Sequence, residues 1–166
     1  MIYHLCLGSN LDNPELQIRK AIEAIEADKE IRIIRFSSRI RTAPYGRIEQ
    51  PDFINQVLEV ESALDPVTLL TRLLGIEAEL GRVRTEKWAP RNIDIDILLA
   101  ENTVLDTRQA IGETIYPQVI IPHPDFHNRL FALQLLNELI PEALHPVLQK
   151  TISELYYFLQ TPGGKP

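Results

Sequence analysis

The order in which strand-like and helix-like segments follow one another constrains the fold of this chain most. Short runs rich in apolar and β-branched residues, typical of strands, occupy residues 2–8, 31–41, 53–64 and 93–99. An amphipathic stretch with helical spacing follows the first run, and another follows the third. The order strand-helix-strand-strand-helix-strand predicts an α+β fold, a ferredoxin-like split β-α-β sandwich.

Signals at the ends of both predicted helices support this order. The pairs Asn13-Pro14 and Asp65-Pro66 each combine a capping side chain with a proline that suits the first turn of a helix. Gly81 is a suitable residue to end the second helix. Two more apolar stretches with helical spacing occur near the end of the chain, so we expect additional C-terminal helices.

Length and composition exclude several classes of protein. The 166 residues carry a formal charge of −6, contain one cysteine, Cys6, and have no apolar run long enough to cross a membrane. We therefore expect a cytoplasmic protein without disulfides, with no membrane partner and no nucleic-acid partner. We expect one domain over residues 1–160, acting as a monomer, and a disordered Pro/Gly-rich tail over residues 161–166.

Two acidic residues stand out in the clearest strand. Asp94 and Asp96 alternate with isoleucines, so both carboxylates lie on one face, with Cα atoms about 6–7 Å apart. An amphipathic strand with its aspartates in water would show the same alternation. Aspartate is a poor strand former, however, and two on one face repel each other, which favours a bound cation. Magnesium prefers such oxygen ligands.

A basic cluster directly precedes this strand. Arg82, Arg84 and Arg91 occur in an otherwise acidic chain, and guanidinium groups match phosphate oxygens. Trp88, the only tryptophan, lies among them and could close over a flat ligand. The alternatives are a solvated loop and a tryptophan packed on the sheet. Carboxylates beside arginines nevertheless fit a magnesium–triphosphate better than either group alone.

Two further groups of residues are candidates for ligand contacts. Phe53 and Asn55 share one strand face, where they could stack on and hydrogen-bond a flat heterocycle, although Phe53 could equally pack in the core. His123 lies between prolines that lead into a predicted helix. We expect His123 and Arg129 to contact phosphate at the start of that helix, since a zinc site at His123 and His127 lacks a third ligand.

Together these segments resemble the 6-hydroxymethyl-7,8-dihydropterin pyrophosphokinases, enzymes of folate biosynthesis. The most specific motif is W-A-P-R-N-I-D-I-D-I-L over residues 88–98. The other matching segments are residues 7–11, 41–46, 50–55, 81–84, 121–124 and 128–131. The sequence departs from the family pattern at Ala43, where proline is frequent, and at Ile120, where some members have threonine.

The resemblance implies transfer of the two terminal phosphates of ATP to the hydroxymethyl oxygen of the pterin, with release of AMP. It implies that Asp94 and Asp96 hold two Mg²⁺ ions with ATP, and that Arg82 and Arg91 act with them in catalysis. The nucleotide contacts that it implies are Glu77, Arg82, Arg84, Trp88, Arg91, the backbone near Ile97, His123 and Arg129. The pterin contacts that it implies are Thr42, Ala43, Tyr45, Phe53, Asn55, Trp88, Asp94 and Phe131.

Two other functions stay open at this point. A Mg²⁺-dependent phosphohydrolase could use the same aspartate pair, although closing loops and an aromatic sandwich favour keeping water out. A ferredoxin-like binding or regulatory module without catalysis would show no metal dependence and no effect of changing the pair.

Overall fold

The computed structural model describes residues 1–44, 50–81, 92–109 and 117–161. The strands are β1 (Ile2–Ser9), β2 (Ile31–Thr42), β3 (Phe53–Ser62), β4 (Asp94–Ala100), β5 (Leu105–Asp106) and β6 (Ile120–Ile121). The α-helices are α1 (Pro14–Ala27), α2 (Pro66–Glu79), α3 (Leu130–Leu139) and α4 (Ile152–Gln160).

The main sheet is antiparallel, with the order β2-β3-β1-β4. Its two faces are covered by different helices. One core holds residues of α1 and α2, and the other holds residues of α3 and α4. This order and layering are those of a ferredoxin-like α+β sandwich with C-terminal helices, so the predicted fold class is confirmed.

Residues of β3 alternate between the two cores as the strand pattern predicts. Ile54 and Leu58 pack with α1 and α2, whereas Val57 packs with α3 and α4. Successive side chains of a strand point to opposite faces, so Asn55 lies on the same face as Val57. This face carries the candidate site.

Both predicted helix starts are confirmed. The Asn13 side chain accepts a hydrogen bond from the Leu16 amide at 3.3 Å, and α1 begins at the next residue, a proline. Asp65 Oδ1 accepts from the amides of Val67 and Thr68 at 3.0 and 3.1 Å. These side chains satisfy amide groups that have no partner inside the first turn of a helix.

Gly81 has a φ of 85° and follows directly after α2 and its C-terminal cap. Such a left-handed conformation strains residues that have a Cβ atom. The predicted end of the second helix is therefore confirmed.

Two predicted boundaries are wrong. The third strand ends at Ser62 rather than residue 64, because the Ser62 hydroxyl accepts from the Leu64 amide at 3.1 Å and makes a turn there. The helix expected to start near His123 begins only at Leu130. His123 precedes a proline, which disfavours helical backbone, and a short 3₁₀ turn at Phe126–Asn128 comes first.

The connection after β4 contributes to the first core. Within this connection the short strand β5 pairs with β6. The Thr107 hydroxyl accepts from the Val119 amide at 2.8 Å, and Val119 is buried. Residues 110–116, and the predicted disordered tail apart from Thr161, lie outside the described residues. No helix in the described ranges is long and apolar enough to cross a membrane.

Candidate active site

Strand register brings three of the predicted site positions into one row. Asp94 of β4 pairs with Gly8 of β1, and Gly8 pairs with Asn55 of β3. Neighbouring strands lie about 4.8 Å apart, so the Cα atoms of Asp94 and Asn55 are roughly 10 Å apart. The next row on the same face runs from Asp96 through Cys6 to Val57.

The two aspartates lie on the α3 and α4 face of the sheet, and both are half-buried. The pKa of the buried Cys6 thiol is raised, first by burial and then by the charges of Asp96 and Asp94, while Arg129 acts in the opposite direction. The charges of both carboxylates and of the Arg129 guanidinium therefore act on the same sulfur.

The aspartate pair has the ligand chemistry that a hard divalent cation requires. Carboxylate oxygens suit Mg²⁺, which otherwise keeps water and substrate phosphate oxygens as ligands. Among the described residues, no group of three or more His, Cys, Asp or Glu side chains could hold a metal ion.

Glu77 supports the backbone between the two aspartates. Its carboxylate is buried, with 2% of the residue exposed, and accepts from the Ile95 amide at 2.7 Å. β4 is an edge strand of the sheet, so the acceptor for this amide has to come from outside the ladder. The Ile97 side chain is buried in the first core, which leaves its backbone as the group available to a nucleotide.

His123 lies next to β4, the strand that carries the aspartates, and the charge of Arg129 acts on it. The His123 amide donates to the Leu98 carbonyl of β4 at 2.9 Å. Burial and then the Arg129 charge lower the His123 pKa to about 4, against the opposing effects of Asp125 and Asp94. The imidazole is therefore neutral near pH 7. The prediction that His123 sits at a helix start is wrong, and Arg129 instead occupies the N-cap position of α3.

A cleft of about 680 Å³ opens between β2 and the start of α3. Thr42, Arg129 and Phe131, all predicted site residues, are among its lining residues. The Asn55 amide group donates to the Thr42 hydroxyl at 2.8 Å, which joins the row on the sheet to this cleft. Phe131 is half-buried against the second core, and Ala43 is exposed beside Thr42.

Gly8 leaves space between the aspartates and the amide of Asn55. A Cβ atom at this position would lie 3.0 Å from Asn55 Oδ1 and 3.9 Å from a ring carbon of Phe53. The first distance is closer than ordinary van der Waals contact. The strand predicted over residues 2–8 continues through Ser9, so Gly8 lies inside β1. A glycine inside a strand was the available signal for such a close approach.

Replacing Gly8 with alanine should displace the Asn55 side chain. Asn55 cannot move freely, because its nitrogen is bound to Thr42. We expect the free energy of unfolding to fall by about 1–3 kcal/mol, which is typical of overpacking. We also expect a ligand of the cleft to bind more weakly. Thermal unfolding and calorimetric titration measure the two effects. Gly75→Ala is the matched control, because a Cβ atom there meets nothing within 4 Å. Unchanged behaviour of Gly8→Ala would contradict the proposed close approach.

Several predicted site residues cannot be placed. Tyr45, Arg82, Arg84, Trp88 and Arg91 lie outside the described residues. The described part of the site therefore consists of the aspartate pair with Glu77, the His123 and Arg129 turn, and the row and cleft around Asn55. One contributor that sequence reasoning did not identify is Asp125, which hydrogen-bonds Arg129.

Comparisons with known proteins show the family of this chain. The family profile for 7,8-dihydro-6-hydroxymethylpterin-pyrophosphokinase matches residues 4–141. The 2-amino-4-hydroxy-6-hydroxymethyldihydropteridine pyrophosphokinase of Haemophilus influenzae is 36% identical over 92% of this chain and 89% of its own length. The protein of the same name from Pseudomonas aeruginosa is 37% identical over 86% of this chain and 83% of its own length.

Solved structures show the same fold. A crystal structure of HPPK-DHPS in complex with substrates has a TM-score of 0.68 at 17% identity, over 94% of this chain and 43% of that one. Plasmodium falciparum HPPK-DHPS with pteroate has a TM-score of 0.70 at 19% identity, over 94% and 42%. The chain thus spans less than half of those longer proteins. From the profile match and the curated relatives, the chain belongs to the 7,8-dihydro-6-hydroxymethylpterin-pyrophosphokinase family.

Proposed function

We propose that this chain transfers pyrophosphate from ATP to the hydroxymethyl group of 6-hydroxymethyl-7,8-dihydropterin, in folate biosynthesis. The hydroxymethyl oxygen forms a bond to the β-phosphorus, and the bond from that phosphorus to the α,β-bridging oxygen breaks. AMP leaves with the bridging oxygen, and the hydroxyl proton is released. Family membership and the names of the curated relatives support this reaction.

The row Asp94–Gly8–Asn55 is the observation that carries the proposal at the level of structure. It places the Cα atom of Asp94, whose carboxylate suits a metal–phosphate complex, roughly 10 Å from the Cα atom of Asn55, whose amide suits the edge of a heterocycle. An acceptor alcohol bound over Asn55 would therefore have its reactive end directed along the sheet towards the phosphates. Such positioning is a large part of catalysis when two substrates must meet in line.

Asp94 and Asp96 are the residues that would hold Mg²⁺ with ATP, and the family resemblance suggests two ions. Bound Mg²⁺ would neutralise phosphate charge and make the acceptor hydroxyl more acidic, so a dedicated general base is not required. The chemistry of the donor set supports this assignment, because both side chains offer only hard oxygen ligands.

The other site residues that the structure describes bind and orient the substrates. Arg129 donates to phosphate oxygens, and neutral His123 can donate one ring N–H to the same group. Phe53 and Phe131 offer aromatic faces for a flat pterin, and Asn55 offers an amide for its edge. Contacts by the arginines and the tryptophan that precede β4 stay predictions, as do cytoplasmic location and a monomeric state.

Product analysis separates this function from hydrolysis. We expect AMP to form from ATP and Mg²⁺ only when the hydroxymethylpterin is present, in equal amounts with a pyrophosphorylated pterin. A phosphohydrolase would consume ATP without the pterin, and a binding module would not consume ATP at all. Chromatography of the nucleotides and pterins, with and without the acceptor, distinguishes these outcomes.

A further inference from the structure

The turn that precedes α3 is organised around one carboxylate. Asp125 Oδ2 accepts from Arg129 Nε at 3.0 Å, and Asp125 Oδ1 accepts from the Asn128 side-chain amide at 3.2 Å. The backbone amide of Asp125 donates to His123 Nδ1 at 3.2 Å. Asp125 therefore contacts both residues of this turn that face the aspartate pair.

The hydrogen bond from the Asp125 backbone amide determines which nitrogen of His123 carries the proton. Nδ1 accepts from the Asp125 amide, so in the neutral ring the hydrogen is on Nε2. Nε2 is then the nitrogen that can donate to a phosphate oxygen. The carboxylate of the same residue binds Asn128 and Arg129, so Asp125 links the ring to the rest of the turn.

The hydrogen bond from Arg129 Nε to the Asp125 carboxylate sets the direction of the guanidinium. Asp125 engages Nε, and this bond leaves both Nη groups for another partner. Arg129 lines the cleft, and its charge reaches Cys6 and His123 on the aspartate face. The side chains of Asp125 and Arg129 are 39% and 26% exposed, and ion pairs that are open to water contribute little to folding stability.

A carboxylate beside a phosphate-binding arginine also weakens its attraction for phosphate, because it cancels part of the charge. Neither a gain in folding stability nor a stronger attraction for phosphate thus accounts well for the Asp125–Arg129 contact. Orientation of the guanidinium accounts for it, because a guanidinium fixed at Nε presents its Nη groups in one plane and direction.

We propose that Asp125 is a positioning residue, whose carboxylate orients Arg129 towards the phosphates of the substrate and whose backbone amide holds the His123 ring. This inference rests on the proposed function for the identity of the substrate. The geometric part, a guanidinium held at Nε by a carboxylate, concerns the resting protein alone and can be tested without any substrate.

Nitrogen-15 NMR of the resting protein tests the geometry. The Arg129 Nε–H signal, assigned through its loss in Arg129→Lys, should exchange slowly with water in the wild type and much faster in Asp125→Asn. His123 should show a protonated Nε2 and an unprotonated Nδ1 near pH 7. Fast exchange of the Arg129 signal in the wild type would overturn the proposal, whether or not the protein is active.

A double-mutant cycle tests the consequence for catalysis. We expect Asp125→Asn to lower kcat/KM for ATP by roughly 10- to 100-fold, the loss expected when a catalytic contact shifts by about 1 Å. In the Arg129→Lys background, which lacks Nε–H, the same change should cost less than about twofold. Multiplicative losses in the double variant would show that Asp125 does not act through Arg129, and would overturn the proposal.

A matched control separates a positioning role of Asp125 from a general effect of losing an aspartate–arginine pair. Asp106→Asn removes a similar aspartate–arginine pair, with Arg108, away from the cleft, and should leave kcat/KM unchanged. Melting temperatures of Asp125→Asn and Asp106→Asn should fall by similar small amounts. If the wild type formed no AMP, the proposed function would fail, and the NMR result would still decide the positioning role.

Discussion

Replacing Asp94 or Asp96 with asparagine should lower the rate of AMP formation by roughly 1,000-fold or more. A thousandfold loss corresponds to about 4 kcal/mol of transition-state stabilisation, within the range that metal-ion catalysis supplies. Asparagine keeps the size of the side chain but removes the charge that attracts a cation. AMP release at saturating substrates, followed over a Mg²⁺ titration, measures the effect.

The control for this change is Glu61→Gln on β3, an exposed acidic residue that pairs with Ile2 at the opposite end of the sheet. It should retain nearly full activity, and all three variants should unfold at temperatures close to that of the wild type. Wild-type rates in Asp94→Asn and Asp96→Asn would exclude the metal-binding role and would favour a reaction without these carboxylates.

Replacing Phe53 with alanine should weaken pterin binding much more than ATP binding. Stacking of a flat heterocycle on an aromatic side chain contributes about 1–3 kcal/mol, so the Kd for the pterin should rise roughly 5- to 150-fold. The Kd for ATP should change less than about threefold, because Phe53 begins β3, two strands away from the aspartates of β4. Isothermal calorimetry with each substrate alone gives both numbers.

Phe36→Ala is the matched control, because Phe36 is an aromatic residue of β2 that is 48% exposed. It should leave both dissociation constants unchanged. Equal weakening of pterin and ATP binding by Phe53→Ala would indicate a general loss of structure. Unchanged pterin binding would show that the pterin stacks elsewhere.

Much of the fold could be predicted because its signals are local. Asn13 and Asp65 cap helices whose first residue is a proline, and the alternation around Asp94 and Asp96 places both on one face. These features depend on residues that are close in sequence. Side-chain capping and the period of a strand are therefore visible before any tertiary contact is known.

The row Asp94–Gly8–Asn55 could not be predicted, because register depends on irregularities that sequence patterns do not show. The ladder between β1 and β4 shifts between His4 and Leu5, and the ladder between β2 and β3 shifts twice. A one-residue shift in register moves a side chain to the other face of the sheet. The register of the assembled sheet therefore decides which residues, far apart in sequence, lie side by side.

The turn before α3 was missed for a different reason. A helix that starts near His123 would place this histidine in its first turn, and Asp125 would then be a residue of that helix. Proline following His123 delays the helix, and Asp125 then bonds Arg129 within a 3₁₀ turn. The sequence shows that a proline follows His123, which disfavours helical backbone there. The strong apolar pattern of α3 predicts a helix but does not show at which residue it begins.

The central claim, that two phosphates move together to the pterin, is tested most directly by ATP labelled with ³²P. In parallel reactions, ATP labelled at the β-phosphorus and ATP labelled at the γ-phosphorus are incubated with Mg²⁺ and the hydroxymethylpterin. Both labels should appear in the pterin product in equal amounts, and α-labelled ATP should give labelled AMP. Transfer of the γ-label alone, with ADP as the other product, would contradict the claim, as would release of both labels as inorganic phosphate or pyrophosphate without the pterin.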